Sequence, residues 1–202
     1  MVWSPKRLFV LKLTIFFLSL LPAAQLVYAF FMQKLGANPV ETLSHTTGDW
    51  ALYFLLLTLA ITPLRKFTGR HALVRFRRML ALFAFFYALI HFSIWLVLDH
   101  EFVWGAIIKD IIKRPYITFG FLSFILMAPL AITSTNGWMR RLGAQWKRLH
   151  RLVYIIAILA ILHFIWLVKA DFLDPLVYGI LLSLLLVLRL PVTERLLSAR
   201  KV

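Results

Sequence analysis

The sequence predicts an all-α integral membrane protein, folded as a six-helix transmembrane bundle with both termini in the cytoplasm. Three observations carry this. Of the 202 residues, 62% are hydrophobic and 15% charged, with a mean hydropathy of +0.85, whereas a soluble domain is about half apolar. The apolar residues fall into six stretches of spanning or near-spanning length. The cations between those stretches are sorted by side: with the N-terminus inside, segments 1–12, 65–78, 136–151 and 189–202 carry 18 of the 23 Lys and Arg residues, and segments 34–49, 99–115 and 169–174 carry 5. That is a positive-inside pattern. The net charge of +15 is therefore a topology signal, so membrane lipid is an expected partner and nucleic acid is not.

The first stretch, Leu13 to Gln33, lies without charge between Lys12 and Lys34. It is too long for a signal-peptide core, and Pro22 should kink it. The second runs from Trp50 to Leu64 and should end at Pro63; the third, Met79 to Leu98, follows Arg77 and Arg78 and contains His91. The fourth begins near Tyr116 and ends near Thr135, with a kink expected at Pro129. The fifth, between Arg151 and Lys169, contains His163 and has His150 at its basic edge. The sixth, Pro175 to Leu188, is short enough that Arg189 should snorkel to the surface. Helices are thus expected at about 9–33, 50–64, 79–98, 116–135, 150–168 and 175–190, in one domain over 1–202 without an internal repeat. Between the third and fourth, residues 104–113 alternate Ile107, Ile108, Ile111 and Ile112 with Lys109, Asp110 and Lys113, which predicts an amphipathic helix on the outer surface.

Chemistry is narrowed by what the chain lacks. Without cysteine there are no disulfides, thiolate-ligated haems, iron–sulfur clusters or cysteine zinc sites. The cores of the six stretches hold no acidic residue, and no hydrolase or di-iron motif occurs. Histidine remains. An imidazole within hydrocarbon needs a partner and marks a candidate site. His91 lies thirteen residues past Arg78 and His163 twelve past Arg151, so both rings should sit roughly 18–20 Å from the inner edge on helices that run in the same direction. Two neutral imidazoles at equal depth suit the two faces of a haem iron, with Phe83, Phe85, Phe86, Phe92, Trp95, Phe164 and Trp166 available around a macrocycle. His150 is roughly 20 Å below His163, at the inner interface. The matching position on the third helix is Arg77, which cannot ligate iron but could hold a propionate or a flavin phosphate. His45, His71 and His100 fall in connecting segments and read as solvated side chains.

At these residues the chain resembles the ferric-reductase-type transmembrane domain. More closely it resembles the MsrQ (YedZ) family, the haem-bearing membrane subunits of bacterial methionine sulfoxide reductase systems. The resemblance spans nearly the whole chain: Leu35-Gly-Ala-Asn-Pro-Val40, His45-Thr-Thr-Gly48, Ile61-Thr-Pro-Leu64, Lys113-Arg-Pro-Tyr116, Thr133-Ser-Thr135 and Trp146-Lys-Arg-Leu-His150, in that order. Where such domains carry two histidines on each ligand helix, this chain has Arg77 in place of one. The resemblance implies haem b (one, or two if His150 carries a second), FMN, and a periplasmic MsrP-like molybdopterin reductase as partner. The expected function is electron transfer in the bacterial inner membrane, from the quinone pool or a cytoplasmic flavin reductase through the His91/His163 haem to that reductase, with catalysis in the partner. A small transporter or channel, or a membrane anchor without redox role, is the alternative class.

Overall fold

The computed structural model describes residues 3–168 and 172–189. The expected cytoplasmic tail beyond Arg189, and part of the segment at 169–174, lie outside these. All regular structure among the described residues is helical. Pro5–Phe31 (α1), Pro39–Thr68 (α2), the run His71–Asp99, Pro115–Ile132 and the run Ala144–Leu167 are each long and apolar enough to cross a bilayer. The protein is a multi-pass membrane protein. Leu173–Val187 (labelled α9 below) is apolar but has only 15 residues.

α1 is capped by the Ser4 side chain, which accepts from the Arg7 amide, and Pro5 occupies its first turn. It continues through Pro22 because a neighbour repairs the ladder there. Tyr87 Oη donates to the Ser19 carbonyl at 2.6 Å and accepts from the Ala23 amide at 3.2 Å. The inserted phenol replaces the helix's own bond beside Pro22, and Tyr87 is fully buried.

α2 begins eleven residues before the expected Trp50. Asn38 caps it, exchanging bonds with Glu41 in both directions, and Pro39 stands at its first position. This is a variant of the capping box in Asn-Pro-Val-Glu, in which the Glu41 carboxylate accepts from the Asn38 side-chain amide in place of the backbone N–H, a polar signal that hydropathy alone does not register. α2 also passes Pro63, the expected stop, and ends at Gly69 with φ +67°. Pro63 cannot donate to Leu59, and that orphaned carbonyl accepts from Arg189 Nη2. Arg189 therefore turns into the bundle, also donating to Tyr154 Oη at 3.0 Å, instead of snorkelling outward.

A short 3₁₀ turn at His71–Leu73 leads into α3, Val74–Ile94, which ends in a π-helical turn at Trp95–Asp99. The amphipathic element is α4, Trp104–Lys113, with Ile107 buried and Ile112 76% exposed. It is followed by α5, Pro115–Ile132. Two short basic helices, α6 (Asn136–Leu142) and α7 (Ala144–Leu149), precede α8, Leu152–Leu167, and then α9, Leu173–Val187. α2 packs chiefly on α3 and α5 on α8, so the bundle is two helical hairpins, joined mainly by α3 against α5.

Candidate functional site

His91 near the end of α3 and His163 near the end of α8 are brought together, with ring centroids 6.1 Å apart and planes crossed at 75°. The two imidazoles that helix spacing pairs are thus neighbours in the bundle. Each ring has its Nδ1 against a main-chain carbonyl of the paired helix: His91 at 2.9 Å from Ser44 O, His163 at 2.6 Å from Tyr116 O. A carbonyl only accepts, so each Nδ1 is the protonated nitrogen. Each Nε2 then keeps its lone pair, the tautomer in which imidazole binds a metal.

Both rings border one cavity of about 620 Å³, between the two hairpins and toward the end of the bundle that carries α4. With metal–nitrogen bonds of about 2 Å, two imidazoles on opposite faces of one metal stand roughly 6 Å apart centre to centre, close to the observed separation. Among the described residues no group of three or more His, Cys, Asp or Glu side chains converges. Two imidazoles alone would hold a bare ion poorly, whereas a haem brings four further nitrogens of its own. The chemistry of the donor set fits haem. Of the aromatic residues expected around a macrocycle, Phe92, Trp95 and Phe164 line the cavity. Phe83 packs in the core against Phe54, Phe85 stacks on Phe124, and Trp166 is 52% exposed. Phe121 and Phe124 line it as well; they stand four and seven residues past Ile117, another lining residue, on one face of α5.

The two halves of the site are copies. In each hairpin an imidazole meets a carbonyl 47 residues earlier in the chain, and a glycine, Gly48 or Gly120, lies one turn past that carbonyl against the ring. The flanking residues repeat too: Thr46-Thr-Gly48 pairs with His91-Phe92, and Thr118-Phe-Gly120 with His163-Phe164. The likeness is local to the two imidazoles and their supports. The repeated residues are too few and too widely spaced to stand out in a linear sequence.

Polar groups close the mouth of the cavity. His100 Nε2 lies 3.4 Å from Asp110 Oδ2, and Arg114 Nη1 is 3.3 Å from the same oxygen. The hydrogen bond to Tyr116 Oη, then the charge of Asp110, push the Arg114 guanidinium up from its ordinary value. The His100 side chain is only 11% exposed and so is not the solvated residue expected, whereas His45 and His71 are exposed. The longer α2 also places a carboxylate, Asp49, in a spanning helix and on the cavity wall, against the expected absence of acidic residues.

At the opposite end lie Arg77 and His150. His150 stacks on Trp146 at 3.8 Å, its Nδ1 donates to the Trp146 carbonyl at 3.1 Å, and the Leu130 main chain also approaches the ring, whose Nε2 is buried. No second imidazole faces it. Arg77 is half-buried and lies near enough to Arg65, Arg189 and His150 for their charges to interact. Among the described residues Arg189 Nε, also buried, finds no hydrogen-bond partner. Among the described residues every acidic side chain falls at the α4 end, and none of them joins this cation cluster.

Residues 47–161 match the family described as ferric reductase like transmembrane component, a span that includes Gly48, His91, Gly120 and His150 and stops just short of His163. The chain is 50% identical to a protein-methionine-sulfoxide reductase heme-binding subunit MsrQ from Herminiimonas arsenicoxydans, over 92% of this chain and 87% of that protein. It is 53% identical to the MsrQ of Xanthomonas oryzae pv. oryzae, over 83% and 80%, and 58% identical to that of Xanthomonas campestris pv. campestris, over 75% and 70%. No solved structure matches.

Proposed function

This chain belongs to the ferric-reductase-like transmembrane family, and within it to the MsrQ heme-binding subunits; from that premise we propose that it conducts electrons outward across a bacterial inner membrane to a methionine sulfoxide reductase. The observation that carries the proposal is the pair of Nδ1-anchored imidazoles, 6.1 Å apart on one cavity. His91 and His163 would hold a haem b there, and the haem would supply reversible one-electron exchange. The protein fixes both rings through carbonyls and walls the slot with aromatic side chains. It contributes no substrate chemistry, so catalysis lies in a periplasmic MsrP-like molybdopterin enzyme.

The orientation proposed is six spans with the N- and C-termini in the cytoplasm, as the split of basic residues favours. The cavity then opens toward the periplasm beneath α4, whose exposed Ile108 and Ile112 seat it in the lipid interface. His91 and Arg77 are fourteen residues apart on α3, about 20 Å along the helix axis, so the inner part of the path calls for a second carrier. Arg77, with Arg65 and Arg189, suits the phosphate of FMN; His150 is the ligand if the carrier is a second haem. Quinol or a cytoplasmic flavin reductase supplies the electrons.

Sidedness tests this reading. A reporter near Lys109 should be periplasmic, and reporters at both termini and in the 65–78 loop cytoplasmic. In sealed right-side-out vesicles a membrane-impermeant oxidant should reoxidise the reduced protein rapidly, and in inside-out vesicles slowly. A periplasmic C-terminus, or faster reoxidation in inside-out vesicles, would contradict outward conduction.

A further inference from the structure

We propose that Gly48 and Gly120 are positioning residues, each forming with the carbonyl one turn before it a cradle that fixes the plane of one site imidazole, and that the Gly120 cradle is the rigid one. This rests on the reading of His91 and His163 as haem ligands.

A Cβ on Gly120 would stand 2.7 Å from His163 Nδ1 and 3.0 Å from its Cε1; on Gly48 it would stand 3.3 Å from both Nδ1 and Cε1 of His91. At both positions the three nearest atoms belong to the imidazole. These glycines therefore differ from the small residues that let membrane helices approach backbone to backbone. What lies flat against each is a ring. The carbonyl holds Nδ1 while the bare Cα one turn on leaves just enough room for the ring, so a side chain there would have to displace it.

The two cradles differ in slack. His163 has the shorter bond, 2.6 Å, and the tighter glycine; His91 has 2.9 Å to Ser44 O and a looser 3.5 Å approach to Ser44 Oγ. A methyl at position 48 can be absorbed by a shift of a few tenths of an ångström. At position 120 the ring must swing away and give up its carbonyl.

The crossed planes, 75° apart, make this measurable. Crossed axial imidazoles leave the two iron d orbitals that overlap the ligand π systems nearly equal in energy. Ferric low-spin iron then shows a strongly anisotropic EPR signal with one very large g value, whereas parallel planes give a resolved rhombic signal.

The test uses the purified full-length protein, read by haem content and ferric EPR. Gly120→Ala should lose most of its low-spin iron. Gly48→Ala should keep its haem and move the largest g value. Ser44→Ala and Tyr116→Phe retain the carbonyls and should keep the wild-type g value. Gly120→Ala and Gly48→Ala both matching wild type would overturn the proposal; should Gly120→Ala fail to accumulate, an unshifted Gly48→Ala overturns it alone. A low-spin spectrum surviving in His91→Ala or His163→Ala would instead overturn the ligand assignment beneath it.

Discussion

His163→Ala should abolish the low-spin bis-imidazole spectrum and leave little haem bound. His163 is anchored at 2.6 Å to the Tyr116 carbonyl, and the two other imidazoles on the cavity wall, His45 and His100, are turned to Glu41 and Asp110. Loss of an outer partner of a metal ligand alone costs 10–100-fold in affinity, so removing the ligand itself should weaken retention by about 100-fold or more. The Tyr116 carbonyl would also lose its side-chain donor. His91→Ala should behave in the same way, because one imidazole leaves iron with an open position. His150→Ala should leave the low-spin bands in place, since that ring lies at the other end of α8, stacked on Trp146. Optical spectra and haem quantification on detergent-purified variants check all three. Wild-type haem content with unchanged low-spin bands in His163→Ala would be incompatible with the site described.

Arg77→Lys should lower bound flavin, or slow reduction from the cytoplasmic side, while the His91/His163 spectrum persists. As a positive-inside charge alone, Arg77 would tolerate lysine without effect, since Arg75 and Arg78 adjoin it. It is half-buried, however, among Arg65, Arg189 and His150 with no described carboxylate facing it. Concentrated cations of this kind are costly unless an anion joins them. A planar guanidinium can grip an oxyanion with two parallel bonds that an ammonium cannot reproduce. Loss of a charge-assisted bond costs roughly 1.5–3 kcal/mol, about ten-fold or more in retention. Flavin released on denaturation, together with the rate of haem reduction by a cytoplasmic-side donor, measures this. Normal values for both in Arg77→Lys would reduce the residue to a topology charge.

Class, span order and the meeting of His91 with His163 were legible in the sequence because they follow from counting: apolar runs, basic edges and a rise per residue. Boundaries were less so. Hydropathy places the start of the second helix at Trp50, whereas the Asn38–Glu41 capping box starts it at Pro39; that difference brings Ser44, Gly48 and Asp49 onto a helix and to the cavity. Pro63 reads as a stop only while Arg189 is unseen, since the residue that satisfies Leu59 lies 130 positions away. The cradles were hidden for the same reason. A glycine in an apolar helix carries no sign of what faces it, and the second copy of the His91 cradle emerges only when α5 is laid on α8. His100 read as solvated because nothing local predicts that α4 folds Asp110 against it.

The central claim is tested most directly by the absorption spectrum of the purified wild-type protein, oxidised and then reduced with dithionite. The account predicts a Soret band that shifts on reduction, with sharp low-spin α and β bands and no change on adding a small external ligand to the ferric form. A protein folded and monodisperse after expression with ample haem, yet without a Soret band, would contradict it and leave a transporter or a membrane anchor in its place.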